Sequence, residues 1–112
     1  MLDQLREITK RLASDPSVVV SAIYRIDGTP IVTFIKDKKY ISILEWLESQ
    51  TKLLLNLMAE NSLKSVDFKT RDYVMIIYPL SGSLVLVVIS TSEASVYKLR
   101  IDVESLKRIL NV

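Results

Sequence analysis

Leu2, Leu5, Ile8 and Leu12 recur every three to four residues with Asp3, Arg6, Lys10 and Arg11 between them, which predicts a helix over residues 2–13. Asp15-Pro16 stops it, because proline lacks a donor and restricts the residue before it. The period then shortens. Val18 to Tyr24 is β-branched and aromatic, Asp27-Gly28 suits a tight turn with positive φ, and Ile31 to Ile35 resumes the strand composition. A β-hairpin follows. Pro30 cannot donate to a ladder, so the second strand lies at a sheet edge or carries its proline at an outward-facing start.

Lys39 to Asn61, KYISILEWLESQTKLLLNLMAEN, is a long helical pattern without glycine or proline. Tyr40, Ile43, Leu44, Leu47, Leu54, Leu55 and Met58 form one stripe; Ser42, Glu45, Ser49, Lys52, Asn56 and Glu60 form the polar face. Trp46, Leu53 and Leu57 fall beside the stripe and widen the apolar band to roughly 200°, where ~100° is usual for a surface helix. That flank calls for a second cover besides the helix's own sheet.

Leu63 to Thr70 reads as a mostly polar edge strand in which Val66 and Phe68 share a face. YVMIIYP at 73–79 and LVLVVIS at 84–90 are near-continuous apolar runs, the pattern of central strands covered on both faces, with PLSGS turning between them. After Ser90, with Ser92 as a further cap candidate and Glu93 three residues on from Ser90, a last helix begins, with Val96, Leu99, Val103, Leu106 and Leu110 on one face. Tyr97, Leu99, Ile101 and Val103 also alternate, so a sixth strand over 96–101, with Asp102 capping a shorter helix, is a rival reading. The favoured order is α-β-β-α-β-β-β-α, one domain over residues 1–112 without linkers or repeats.

Composition narrows the chemistry. Fifteen Lys and Arg against thirteen Asp and Glu are spread along the 112 residues, so a net charge of +2 gives no nucleic-acid footprint. The chain has no cysteine and no histidine, which removes disulfides, thiolate metal sites, the commonest metal ligand and the commonest general base. No cofactor is expected. The amino-terminal residues lack the apolar core of a signal peptide and the apolar runs are shorter than the ~20 residues of a membrane span, so a cytosolic chain is expected.

Asp27-Gly28-Thr29-Pro30 has neither G-x-x-x-x-G-K nor G-x-G-x-x-G around it, and turn chemistry accounts for all four residues. Glu45 with Glu48, and Asp102 with Glu104, read as solvated helix faces, and Ser81-Gly82-Ser83 as a loop. Lys36, Lys38 and Lys39 make a small basic cluster before the long helix. No catalytic constellation emerges, and an enzyme is not expected.

The opening helix, the VVVSAIYRIDGTPIV hairpin with its D-G-x-P turn, the long second helix, the YVMIIYPLSGSLVLVVIS hairpin and the closing VYKLRIDVESLKRIL together resemble the roadblock, or dynein light chain, family of small-GTPase regulator domains. The resemblance spans essentially the whole chain. It implies an α+β fold: a five-stranded antiparallel sheet with the long helix on one face and the two terminal helices on the other. It further implies dimerisation through the second helix and third strand, with itself or a paralogous roadblock chain. Trp46, Leu53 and Leu57 would then meet their mates, and the edge strand bearing Val66 and Phe68 would pair with its copy. The long helix is leucine-rich, where family members often carry alanine and other small residues. The implied function is a non-enzymatic scaffold or regulator of a Ras-like small GTPase; Ser49, Lys52 and Asn56, chosen for exposure, are the candidate partner-facing residues. The alternative is a small-molecule sensor of the profilin, PAS or GAF type, which requires a cavity.

Overall fold

A computed structural model describes residues 2–60, 64–92 and 96–108, apart from the side chains of Lys52 and Leu53. Its elements run α1 (Leu2–Ala13), β1 (Val18–Arg25), β2 (Pro30–Ile35), a 3-10 turn (Lys38–Tyr40), α2 (Ile41–Ala59), β3 (Val66–Lys69), β4 (Tyr73–Pro79), β5 (Leu84–Thr91) and α3 (Val96–Lys107). All strand pairs are antiparallel, in the spatial order β2-β1-β5-β4-β3. The α+β class and the element order match the reading of the sequence.

Sequence explains the layering. The central strands β1, β4 and β5 are buried over most of their length, so both faces of the sheet need a cover. One face carries Ile23, Ile76, Leu86 and Val88 against Leu5, Ile8 and Leu12 of α1 and Leu99 and Val103 of α3. The other carries Val19, Val20, Met75, Ile77, Val87 and Ile89 against Leu44, Leu47, Leu55 and Met58 of α2. Val19 and Val20, though adjacent, enter the same layer because the register of β1 with β5 shifts between Val18 and Val20.

Both edges lie where the sequence puts them. β2 is one edge, with Pro30 as its first residue paired to Tyr24. β3 is the other; it is shorter than the 63–70 reading, and Leu63 lies outside the described residues. The single-helix reading of the carboxy-terminal segment holds and the sixth strand does not exist. On α3, Leu99 and Val103 turn inward, whereas Tyr97 and Ile101 are 81% and 59% exposed. Ser90 does not cap the helix, because it lies within β5 paired with Val74, whereas Glu93 and Leu110 lie outside the described residues.

α2 begins two residues later than its hydrophobic pattern suggests. Asp37 accepts from the Lys39 amide at 3.0 Å and its carbonyl takes the Tyr40 amide, so the chain enters through a 3-10 turn. The basic cluster belongs to this entrance: Lys36 donates to the Pro16 carbonyl at 2.9 Å and Lys39 lies 5.2 Å from the centre of the Tyr40 ring.

Candidate functional site

The two flanks of α2 differ in what they meet. Successive helical residues advance by ~100°, which puts Leu44, Leu47, Thr51, Leu55 and Met58 on the buried arc. Ile43 and Leu54 continue that arc to one side, and Leu57, Gln50 and Trp46 lie further round. Glu48 lies on the opposite side. Ile43 and Leu54 share a layer with Val66 and Phe68 of β3 and Tyr73 of β4, whereas Glu48 bonds Tyr24 of β1. The Trp46 flank therefore looks toward the β3 edge, and the Glu48 flank toward the β1–β2 turn.

On the first flank, Trp46 is 44% exposed and Leu57 half-buried, so the tryptophan is not a core residue of its own chain. Val66 and Phe68 are half-buried against the α2 layer, and the outer side of β3 has no strand neighbour among the described residues. Ser49 and Asn56 are exposed on the outer face of α2, Ser49 with its hydroxyl donating to the Trp46 carbonyl at 2.7 Å. Leu53 and Lys52 belong to α2 by position, but their side chains lie outside the described residues.

The second flank holds an arrangement that the sequence reading missed. A cavity of about 150 Å³ opens between α2 and the sheet, lined by Leu44, Leu47, Leu55, Val85 and Val87 and by the polar residues Tyr24, Asp27, Glu48 and Thr51. Buried Tyr24 donates its hydroxyl to Glu48 Oε1 at 2.7 Å, and burial, followed by the Glu48 bond, pushes the phenol pKa upward. Thr51, also buried, donates to the Leu47 carbonyl one turn back. Glu48 is thus held across the helix–sheet boundary and is not merely one of a solvated pair with Glu45.

The D-G-x-P turn borders this cavity. Gly28 has φ of +93° and donates to the Arg25 carbonyl at 2.8 Å, while Asp27 Oδ1 accepts from the Thr29 amide at 2.9 Å. That amide bond, with Arg25 3.5 Å away, holds the Asp27 carboxyl below its ordinary pKa. The Ile26 amide donates to the Ser83 carbonyl at 2.8 Å, which ties this turn to the β4–β5 turn. The turn reading is correct, but the turn also walls a cleft. Thr51 within a leucine stripe, and a tyrosine on the α2 side of β1, were the available signals.

No group of three or more His, Cys, Asp or Glu among the described residues could hold a metal ion. Nor is any described helix long and apolar enough to cross a membrane.

An antiparallel five-stranded sheet between a long second helix and paired terminal helices defines a roadblock-type fold. Residues 2–104 match the family described as AF0774-like protein, and the chain belongs to that family. In structure it is similar to Myxococcus xanthus MglB, with a TM-score of 0.76 at 17% identity, over 97% of this chain and 86% of that one. It is also similar to MglC from Myxococcus xanthus (TM-score 0.70, 14% identity, 94% and 98% covered). A Roadblock/LC7 domain from Streptomyces avermitilis superposes with a TM-score of 0.71 at 12% identity, over 94% and 92% of the two chains. No curated protein matches the sequence.

Proposed function

We propose that this chain is a non-enzymatic regulator or scaffold of a Ras-like small GTPase, and that it works as a dimer joined through the Trp46 flank of α2 and the β3 edge. The observation that carries the reading is an exposed tryptophan on the long helix beside a strand edge that has no strand neighbour among the described residues, in a fold shared with MglB and Roadblock/LC7 domains. Tryptophan is a favoured interface anchor, and an edge strand is a template for a further strand. Two copies related by a twofold axis would bring Trp46, Leu53 and Leu57 against their equivalents and extend the two sheets into one.

Such a dimer offers a surface of paired α2 helices carrying Ser49, Lys52 and Asn56. A preformed rigid surface binds with little ordering cost, and it biases the nucleotide state of the GTPase by the difference in affinity for the two states. The test is equilibrium binding of Ras-like GTPases from the same genome, each loaded with GDP or a non-hydrolysable GTP analogue. At least one is expected to bind with an affinity that depends on the nucleotide, and Lys52→Glu with Asn56→Asp is expected to weaken it. Undiminished binding to the double variant would remove this face from the interface. The cleft beside Glu48 favours one further activity, ligand binding.

A further inference from the structure

We infer that the cleft between α2 and the β1–β2 turn is a binding site for a small organic cation with a single-ring-sized apolar body. The inference does not rest on the GTPase reading.

Size comes first. The cavity of about 150 Å³ matches the volume at which an apolar protein cavity accommodates a benzene ring. Its floor, made by Leu44, Leu47, Leu55, Val85 and Val87, supplies the apolar surface for such a ring. The cleft is too small for the drug-sized ligands that fill pockets of ~300 Å³ or more.

Polarity selects the rest of the ligand. The two hydroxyl donors in the lining are already committed, Tyr24 to Glu48 and Thr51 to the Leu47 carbonyl. The remaining hydrogen-bonding capacity of the side chains there is therefore acceptor capacity: the carboxylate lone pairs that Tyr24 leaves on Glu48 and that the Thr29 amide and Arg25 leave on Asp27, and the hydroxyl oxygens of Tyr24 and Thr51. Asp27 and Glu48 are exposed, so the mouth of the cleft lies at the two carboxylates. A ligand with several N–H donors and a positive charge fits that mouth, because charge-assisted bonds to carboxylates are roughly twice as strong as neutral ones. Among the described lining side chains a neutral or anionic head group finds no free donor, and Arg25, which is not part of the lining, is paired with Asp27 at 3.5 Å.

The cleft is also built. Tyr24, itself 6% exposed, fixes the Glu48 carboxylate against the sheet, and Gly28 holds the Asp27 side of the mouth with a backbone conformation that other residues rarely adopt. Both walls exist before any ligand arrives, which lowers the ordering cost of binding.

Benzamidine, a planar amidinium on one phenyl ring, is the probe, and benzamide is its neutral counterpart of nearly the same shape. Titration of the full chain, followed through backbone amide NMR shifts, is expected to show saturable binding of benzamidine centred on Gly28, Glu48 and Thr51, at least tenfold tighter than benzamide. Glu48→Gln, whose amide oxygen can still accept from Tyr24, is expected to weaken benzamidine tenfold with the fold retained, and Tyr24→Phe to weaken it by freeing the Glu48 carboxylate to move. Equal affinities for the two probes, shifts confined to other surfaces, no binding at all, or a Glu48→Gln variant with wild-type affinity would each overturn the assignment.

Discussion

Replacing Trp46 by alanine removes the side chain on which the proposed dimer leans most. A tryptophan side chain carries up to ~250 Å², so its 44% exposure leaves roughly 110 Å² for a partner to cover. At about 25 cal/mol per Å² this amounts to roughly 2.7 kcal/mol per protomer, and about 5 kcal/mol for the two equivalent residues of a twofold interface. Ordering and desolvation costs mean that only part of this appears as affinity, yet even 1.4 kcal/mol is a tenfold change. Trp46→Ala is therefore expected to weaken self-association by at least tenfold in sedimentation equilibrium. The substitution also removes the buried part of the ring, so the monomer is expected to lose some stability, and urea unfolding of the monomer separates that loss from the loss of association. Tyr97→Ala is the control: that ring is 81% exposed on the opposite layer of the fold and should leave association unchanged. A wild-type chain that stays monomeric at high concentration, or a Trp46→Ala chain that dimerises as tightly as wild type, would refute the reasoning.

Three further predictions concern the fold. Asp15 accepts from Lys98 Nζ at 2.8 Å and from the Ser17 amide and hydroxyl, bonds that lower its pKa from 3.8 to about 2. A carboxyl depressed on folding contributes stability above its unfolded pKa and loses it as pH falls toward the folded value. With Lys98 largely exposed, solvent screening leaves about 1 kcal/mol, so Asp15→Asn should unfold more easily in urea at neutral pH, with the gap closing between pH 4 and pH 2. A gap independent of pH would assign the effect to shape. Ser21 is fully buried and its hydroxyl has no partner among the described residues; Ser21→Ala is expected to raise stability by about 1 kcal/mol in the same assay, and a loss would show that the hydroxyl is satisfied. Gly28→Ala meets no steric neighbour closer than Leu55 Cδ1 at 3.9 Å, but its φ of +93° should cost about 1 kcal/mol or more, whereas an unchanged midpoint would mean that the turn relaxes freely.

Where the chain's periodicity is strong, the fold could be read directly. Leu5, Ile8 and Leu12 face one layer as their spacing requires, and the continuous runs at 73–79 and 84–90 are indeed the central strands covered on both sides. Leu2, which the same pattern includes, stays 45% exposed. The ambiguity over 96–101 was physical: Leu99 and Val103 satisfy both a period of two and a period near four, and only packing against α1 and the sheet selects the helix. The cleft was harder to see. It depends on Tyr24 and Glu48, separated by twenty-four residues and joined by one hydrogen bond, and on a turn whose composition signals a bend whether or not a helix packs behind it.

The central claim, a dimeric chain that engages a small GTPase, is tested most directly by the light-scattering mass of the chain mixed with its candidate Ras-like GTPase bound to a GTP analogue. The account predicts co-elution at a mass containing two chains of 12.8 kDa each together with GTPase, and loss of that species for Trp46→Ala. Separate elution of a monomeric chain and a free GTPase, in both nucleotide states, would contradict it.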